Sequence, residues 1–307
     1  MKYLLPLIAL FFVCSCNNPK AESEKSDEQT HSNQATGLVF PKIPEKMQFA
    51  GQTIILKDED LRERLDREIL VIAYYQSQTS GYFKRANRYF PQIEQILKEE
   101  GIPDDFKYLA VIESGLQQAV SPVGAQGFWQ FMPTTAKLHN LEMNAEVDER
   151  LNIEKSTRAA CEFLKQTNEG FNDWVLTSAG YNRGPAGVRS DMAWQGTEHY
   201  FDTDQNSETG RYVFRILAMK LIMENPEAYG YYPKQMELYE PIETKKHTVS
   251  SSIPDLSEWA LQKGFNIKIL RKLNPWLLTT KLTVNGKSYQ IELPAKSTNL
   301  KPYKAYL

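Results

Sequence analysis

The 307-residue sequence predicts a mainly α protein with a small C-terminal α+β unit. Three observations predict it. Apolar residues recur at helical spacing from Glu59 to Asn225, with little strand-like alternation between them. Composition then shifts after Tyr229, where Tyr231, Tyr232, Pro233, Tyr239 and Pro241 read as a linker. Beyond it, Lys246 to Ser250, Asp255 to Lys263, Ile267 to Leu273 and Tyr289 to Leu293 follow a strand, helix, helix, strand order. At 41% hydrophobic and 24% charged residues, the chain is ordinary globular material, long enough for one medium domain and one small one.

The N-terminus is set aside as a targeting segment. Lys2 precedes an apolar run from Tyr3 to Val13 that is too short for a permanent membrane span and closes on small residues, as a secretory signal does. Val13-Cys14-Ser15-Cys16 resembles the bacterial lipobox, which implies that Cys16 becomes the acylated first residue of the mature chain. A plain secretory peptide cut nearby is the alternative. Two or more acyl chains suffice for stable anchoring. From Asn17 to about Gly37 the sequence is almost free of apolar side chains and reads as a disordered tether with a reach of ~25 Å. Phe40, Ile43, Met47, Phe49, Ile54 and Ile55 suggest extended chain packed on the domain that follows.

The first helix runs from about Glu59 to Gln76, with Leu61, Leu65, Ile69 and Ile72 as its inward stripe. A second is expected from Arg85 to Glu100, stopping at Gly101, and Pro103 opens a third. On that third helix Phe106, Leu109, Ala110 and Glu113 fall at i, i+3, i+4 and i+7, so Glu113 shares the apolar stripe. Burial and the negative end of the helix dipole before Gly115 both favour a protonated carboxyl, which makes Glu113 a candidate proton donor. The same pattern fits a helix-end glutamate whose flexible side chain reaches water, and taken alone it favours that plainer reading. Pro133 to His139 and Glu154 to Asn168 are further helices. Asp173 is a plausible N-cap for a helix ending at Tyr181-Asn182, and Thr209 can cap a last long helix that stops at Asn225-Pro226. Cys161, among Ala159, Ala160, Phe163 and Leu164, reads as a small buried hydrophobe.

The net charge of −2 and the absence of Lys or Arg blocks argue against nucleic-acid binding. His31, His139, His199 and His247 and the three cysteines show no metal-ligand spacing, so no metal and no cofactor are expected.

Three stretches in order, ESGLQQAVSPVGAQGFWQFMPTTA, AGYNRGPAGV and SETGRYVFRILAM, resemble the soluble lytic transglycosylase family, and within it the membrane-bound type. The resemblance covers about Ile102 to Met223. His247-Thr248-Val249, Leu256, Trp259, Ile269-Leu270, Leu273-Asn274-Pro275-Trp276 and Tyr289-Gln290-Ile291 resemble a degenerate LysM module. The resemblance implies a lysozyme-like helical domain that cleaves the β-1,4 bond between N-acetylmuramic acid and N-acetylglucosamine, leaving 1,6-anhydro ends. It makes Glu113 the single acid, then base. By position it assigns Ser121, Gln130 and Met132 to the cleft, has Tyr181 reach Glu113 and the substrate with Asn182 beside it, and pairs Glu208 with Tyr212 on the last helix. Gly124 and Gly127 suit a loop folded closely over a sugar. Gln118, Phe128 and Gly180 depart from the usual proline, leucine and alanine. Gly180 is expected to loosen the helix end that presents Tyr181.

The implied organisation is a signal peptide at 1–15, a tether at 16–39, a catalytic domain at 40–228, a linker at 229–244, a LysM-like module at 245–296 and a tail at 297–307. The implied partners are glycan strands and, through the anchor, a membrane, for a monomer at the periplasmic face of the outer membrane; Asn17 stands where an inner-membrane retention signal would have Asp. A hydrolytic muramidase similar to goose-type lysozyme, and a non-catalytic peptidoglycan-binding lipoprotein, are the competing readings.

Overall fold

The computed structural model describes residues 42–298 and 300–306. Cys16, the tether and Phe40 lie outside them. The architecture is mainly α, as the sequence predicts, with a short hairpin in front and a small α+β unit behind.

The hairpin β1 (Lys46–Phe49) and β2 (Gln52–Ile55) is antiparallel and turns at Ala50-Gly51. Met47, Phe49, Ile54 and Leu56 pack into the main core, while Ile55, expected inside, is half exposed. Helix α1 (Glu59–Tyr74) is N-capped by Asp58, whose carboxylate accepts the Leu61 amide at 3.1 Å, and buries the expected Leu61, Leu65, Ile69 and Ile72 stripe. Helix α2 (Gln76–Glu99) begins nine residues earlier than expected and runs through Pro91. The polar, glycine-containing Gln76–Lys84 segment carries little helical signal. It is held by tertiary contacts, with Thr79 and Phe83 buried.

Helix α3 (Lys107–Ser114) follows a single 3-10 turn at Asp104–Phe106. Then come α4 (Pro133–Leu138), α5 (Ile153–Phe171, capped by Asn152) and α6 (Trp174–Arg183). The predicted Asp173 cap is present, its carboxylate accepting the Leu176 amide at 2.8 Å. Helix α7 (Pro185–Gln195) had no counterpart in the periodicity, because its exposed face leaves Val188 as its one buried side chain. Helix α8 (Thr209–Glu224) is buried along most of its length and forms the axis of the helical part. Thr209 is its first residue rather than its cap, which is Glu208. The Thr209 hydroxyl instead donates to Asn182 Oδ1 at 3.0 Å, tying α6 to the start of α8. Gly180, expected to loosen α6, does the reverse. A Cβ there would come within 2.9 Å of Thr167, so the missing side chain lets α5 and α6 approach.

The linker is partly built into the core. Tyr231 is buried, packs on Phe83 and donates its hydroxyl to the Ala73 carbonyl at 2.6 Å. The C-terminal unit has the expected βααβ order: β3 (Thr244–Val249), α9 (Leu256–Gln262), α10 (Ile267–Leu273) and β4 (Tyr289–Pro294), with β3 and β4 antiparallel. Its own apolar cluster includes Leu256, Leu270, Trp276, Leu282 and Ile291. Cys161 is buried, and that burial pushes its thiol up to about 12, consistent with an inert packing role.

Candidate active site

Glu113 sits in the last turn of α3, which ends at Gly115 in the left-handed conformation (φ 61°). A side chain at Gly115 would meet the Tyr82 ring at 2.8 Å, so only glycine allows α2 to close over this helix end. Arg85 of α2 donates to the Gly115 carbonyl at 2.5 Å. That cation offsets the negative end of the helix dipole, so the dipole is not what protects the proton on Glu113. Glu113 retains some solvent-facing surface, yet its carboxyl is closely ringed by protein. Burial is the largest influence and raises its pKa to about 7; the Tyr212 hydrogen bond and the Arg215 charge pull it down, and Glu208 pushes it up.

The hydroxyl bonded to Glu113 belongs to Tyr212 of α8. The resemblance had Tyr181 reach Glu113. Instead the Tyr181 hydroxyl donates to the Trp129 carbonyl at 2.8 Å, because the ring is fixed by edge contact with Phe163, with centroids 5.1 Å apart. Tyr181 nonetheless lies close enough for the Glu113 charge to raise its pKa, although burial is the larger cause. Burial likewise drives the Tyr212 phenol well above its ordinary value, so Tyr212 meets the carboxyl as a neutral donor.

The loop after α3 folds back on itself through Val120–Gln126 and Gln126–Phe131 bridges. Ser114 Oγ fastens it to α3 by donating to the Phe128 carbonyl at 2.9 Å, and buried Trp129 donates to Thr157 at 2.9 Å. Ser121 Oγ accepts the Ala125 amide at 2.9 Å and shapes the turn at the loop's tip. Gln130 adopts positive φ (50°), and its amide nitrogen donates to the carbonyls of Gly127 (2.8 Å) and Ala119 (3.1 Å). Both residues therefore hold the loop together. Met132 is exposed beside them at 39%. Gly127 does require its missing side chain, though for a reason other than sugar contact: a Cβ would lie 2.0 Å from the Arg150 carbonyl.

On the α8 side, Glu208 is exposed and its carboxylate pairs with Arg215 at 2.9 Å. Glu208, Tyr212 and Arg215 lie at i, i+4 and i+7 on one face of α8. Arg215 was missed, because one arginine among apolar helix positions has no local signature of a site; its spacing from Tyr212 was the available clue. The structure thus brings Glu113, Tyr212, Tyr181, Glu208 and Arg215 together, with the Ser121–Met132 loop packed beside them through Phe128 and Trp129.

Residues 91–211 match the transglycosylase SLT domain family, and residues 245–297 match the soluble lytic transglycosylase C-terminal LysM-like domain. The chain carries an SLT transglycosylase domain followed by a LysM-like SLT domain. It is homologous to membrane-bound lytic murein transglycosylase D of Escherichia coli K12, with 26% identity over 218 residues, covering 69% of this chain and 47% of that protein. The chain thus spans about half the length of that relative. Among solved structures, it is similar to the 70 kDa soluble lytic transglycosylase of E. coli (25% identity, 48% of this chain and 26% of that one, TM-score 0.39). It is also similar to the lytic transglycosylase Slt of Pseudomonas aeruginosa (23% identity, 47% and 25% covered, TM-score 0.36).

Proposed function

We propose that this chain is an envelope-anchored lytic transglycosylase that cleaves the β-1,4 bond between N-acetylmuramic acid and N-acetylglucosamine in peptidoglycan. The observation that carries the proposal is the state of Glu113 inside the matched SLT domain: a carboxyl raised to about 7 by burial, held by a neutral tyrosine hydroxyl. Such a group is protonated often enough near neutrality to act as a general acid, and its conjugate base is strong enough to take a proton back.

The protonated Glu113 gives its proton to the glycosidic oxygen as the bond from that oxygen to the muramic acid anomeric carbon breaks. The 6-hydroxyl of the same sugar then bonds to the anomeric carbon, and its proton passes to the Glu113 carboxylate. Glu113 ends as it began, and the product carries a 1,6-anhydro ring with no water consumed. A second catalytic carboxylate is not needed. Glu208 is poorly suited to that part because it is exposed and committed to Arg215. Tyr212 orients the carboxyl, Tyr181 fixes the loop through Trp129, and Ser121, Gln130, Met132 and Asn182 line the glycan path.

The domain organisation proposed is a signal peptide and lipidated Cys16, a tether, a lysozyme-like catalytic domain at 40–228, a linker and a module at 245–296. In the module, a groove between β3 and α9 lined by His247, Ser251, Asp255, Glu258, Trp259 and Gln262 supports glycan contact. Mass spectrometry of the muropeptides released from purified sacculi tests the chemistry. Products about one water lighter than reducing-end fragments are expected; reducing ends throughout would establish a hydrolase.

A further inference from the structure

Between α4 and α5, the chain forms a strap that belongs to both halves of the molecule. Residues 142–149 make a hairpin closed by a Met143–Asp148 bridge and by the Glu149 amide donating to the Glu142 carbonyl at 2.8 Å. The strap's Val147, 1% exposed, is buried in the apolar cluster of the C-terminal module, where it pairs with Leu277. Backbone bonds flank it: the Asp148 amide donates to the Trp276 carbonyl at 3.0 Å and the Leu278 amide to the Glu146 carbonyl at 2.9 Å. Charges close the seam. Lys281 pairs with Glu146 at 3.1 Å and Lys287 with Glu142 at 2.6 Å, while Thr283 and Tyr289 donate to the same two carboxylates.

Immediately after the module contact, the strap turns to the loop that packs against Glu113. Arg150 forms a buried pair with Asp148 (Nη2 to Oδ2, 2.7 Å), and its Nη1 donates to the loop carbonyls of Gly124 (2.9 Å) and Phe131 (3.2 Å). Gln118 donates to the Leu151 carbonyl at 2.9 Å, and Gly127 has no side chain where the Arg150 carbonyl approaches. Only two residues, Asp148 and Glu149, therefore separate a side chain in the module's core from a guanidinium that clamps both ends of the loop's turn.

We propose that the C-terminal module positions the loop of the candidate active site through this strap, with Asp148 and Arg150 as the positioning residues. A buried guanidinium with fixed partners on two sides transmits placement rather than absorbing it. When the module separates, Val147 loses its pocket and the strap loses two backbone bonds, so Arg150 no longer has a fixed origin. The loop holds Gln130 at positive φ and presents the Trp129 carbonyl to Tyr181, so it relaxes in turn. The module then affects cleavage even of glycans too short to reach it, which a module that only tethers polymer would not do.

Hydrogen exchange in the full-length protein tests this. Lys281→Glu with Lys287→Glu turns two attractive pairs repulsive. Faster exchange at the Asp148 and Leu278 amides, by about tenfold, reports separation of the seam. The same variant is expected to speed exchange across residues 118–132 by about tenfold while α8 keeps its protection. Adding Glu146→Lys and Glu142→Lys restores attraction across the seam but leaves the Thr283 and Tyr289 donors without their carboxylates, so a partial slowing of exchange is expected at the seam and the loop together. If the seam stays protected, Leu277→Asp places a carboxylate in the module's cluster and forces it open. Loop exchange unchanged once the seam has opened overturns the proposal. A second arm, resting on the function proposed above, uses a soluble four-sugar glycan: kcat should fall about tenfold with KM little changed, because misplaced groups slow the chemistry more than they weaken binding. The exchange arm needs no activity, so failure of the functional reading is distinguishable from failure of the strap.

Discussion

Helix α8 faces two buried carboxyls on two sides and treats them differently. On the α1 side, Glu68 is 1% exposed and receives Arg211 through two bonds, at 2.6 and 3.1 Å. On the α3 side, Glu113 receives only the Tyr212 hydroxyl among the described residues, while the nearby Arg215 is committed to Glu208. Arg211 and Tyr212 are consecutive residues, turned about 100° apart by the helix. A charge met by a bonded cation makes a seam that holds two helices together. At Glu113 burial outweighs the Tyr212 bond and holds the carboxyl well above its ordinary range, the state that the proposed proton donor needs.

Breaking each side should therefore have a different consequence. Glu113→Gln preserves size and hydrogen bonding but removes the proposed proton donor, so release of soluble fragments from sacculi should fall by about a thousandfold or more with the fold intact. The same variant exposes a linkage. Burial raises Glu113 above its unfolded value, so the stability it contributes is complete below the unfolded pKa and is lost as pH rises through about 7. Glu113→Gln should accordingly match the parent near pH 4 and exceed it near pH 8, by on the order of 1–3 kcal/mol in denaturant unfolding. Arg211→Met breaks the other seam and leaves Glu68 buried without its cation. A stability loss of about 3 kcal/mol is expected, read from the denaturation midpoint, with activity per folded molecule largely kept. Tyr212→Phe is the smallest change. It removes a bond that favours the charged form, and should move the alkaline limb of the pH–rate profile upward by about 0.5–1 unit.

The sequence made much of this visible. The stripe through Phe106, Leu109 and Ala110 offered Glu113 an inner position, although the helical pattern alone favoured a solvated carboxyl, and Gly115 marked the end of its helix. Asp173 announced its helix, and the βααβ order was legible in full, because these are local patterns. Three kinds of feature were not. Helix α7 and the first turns of α2 hold few buried side chains, so their helicity rests on tertiary neighbours. Which tyrosine meets Glu113 depends on how α6 and α8 cross, and Tyr181 and Tyr212 are indistinguishable until Phe163 and Trp129 are in place. The strap at 142–151 looks like polar loop, since Val147 finds its pocket more than a hundred residues away in sequence, at Leu277.

Titration of Glu113 itself tests the central claim most directly, using carbon-13 detection of its side-chain carboxyl in the full-length protein. A midpoint near 7, well above the ordinary carboxylate range, is the result that burial beside a neutral tyrosine requires. A midpoint of about 4 to 5 would mean that the carboxyl is solvated or already paired, and would contradict its assignment as the proton donor.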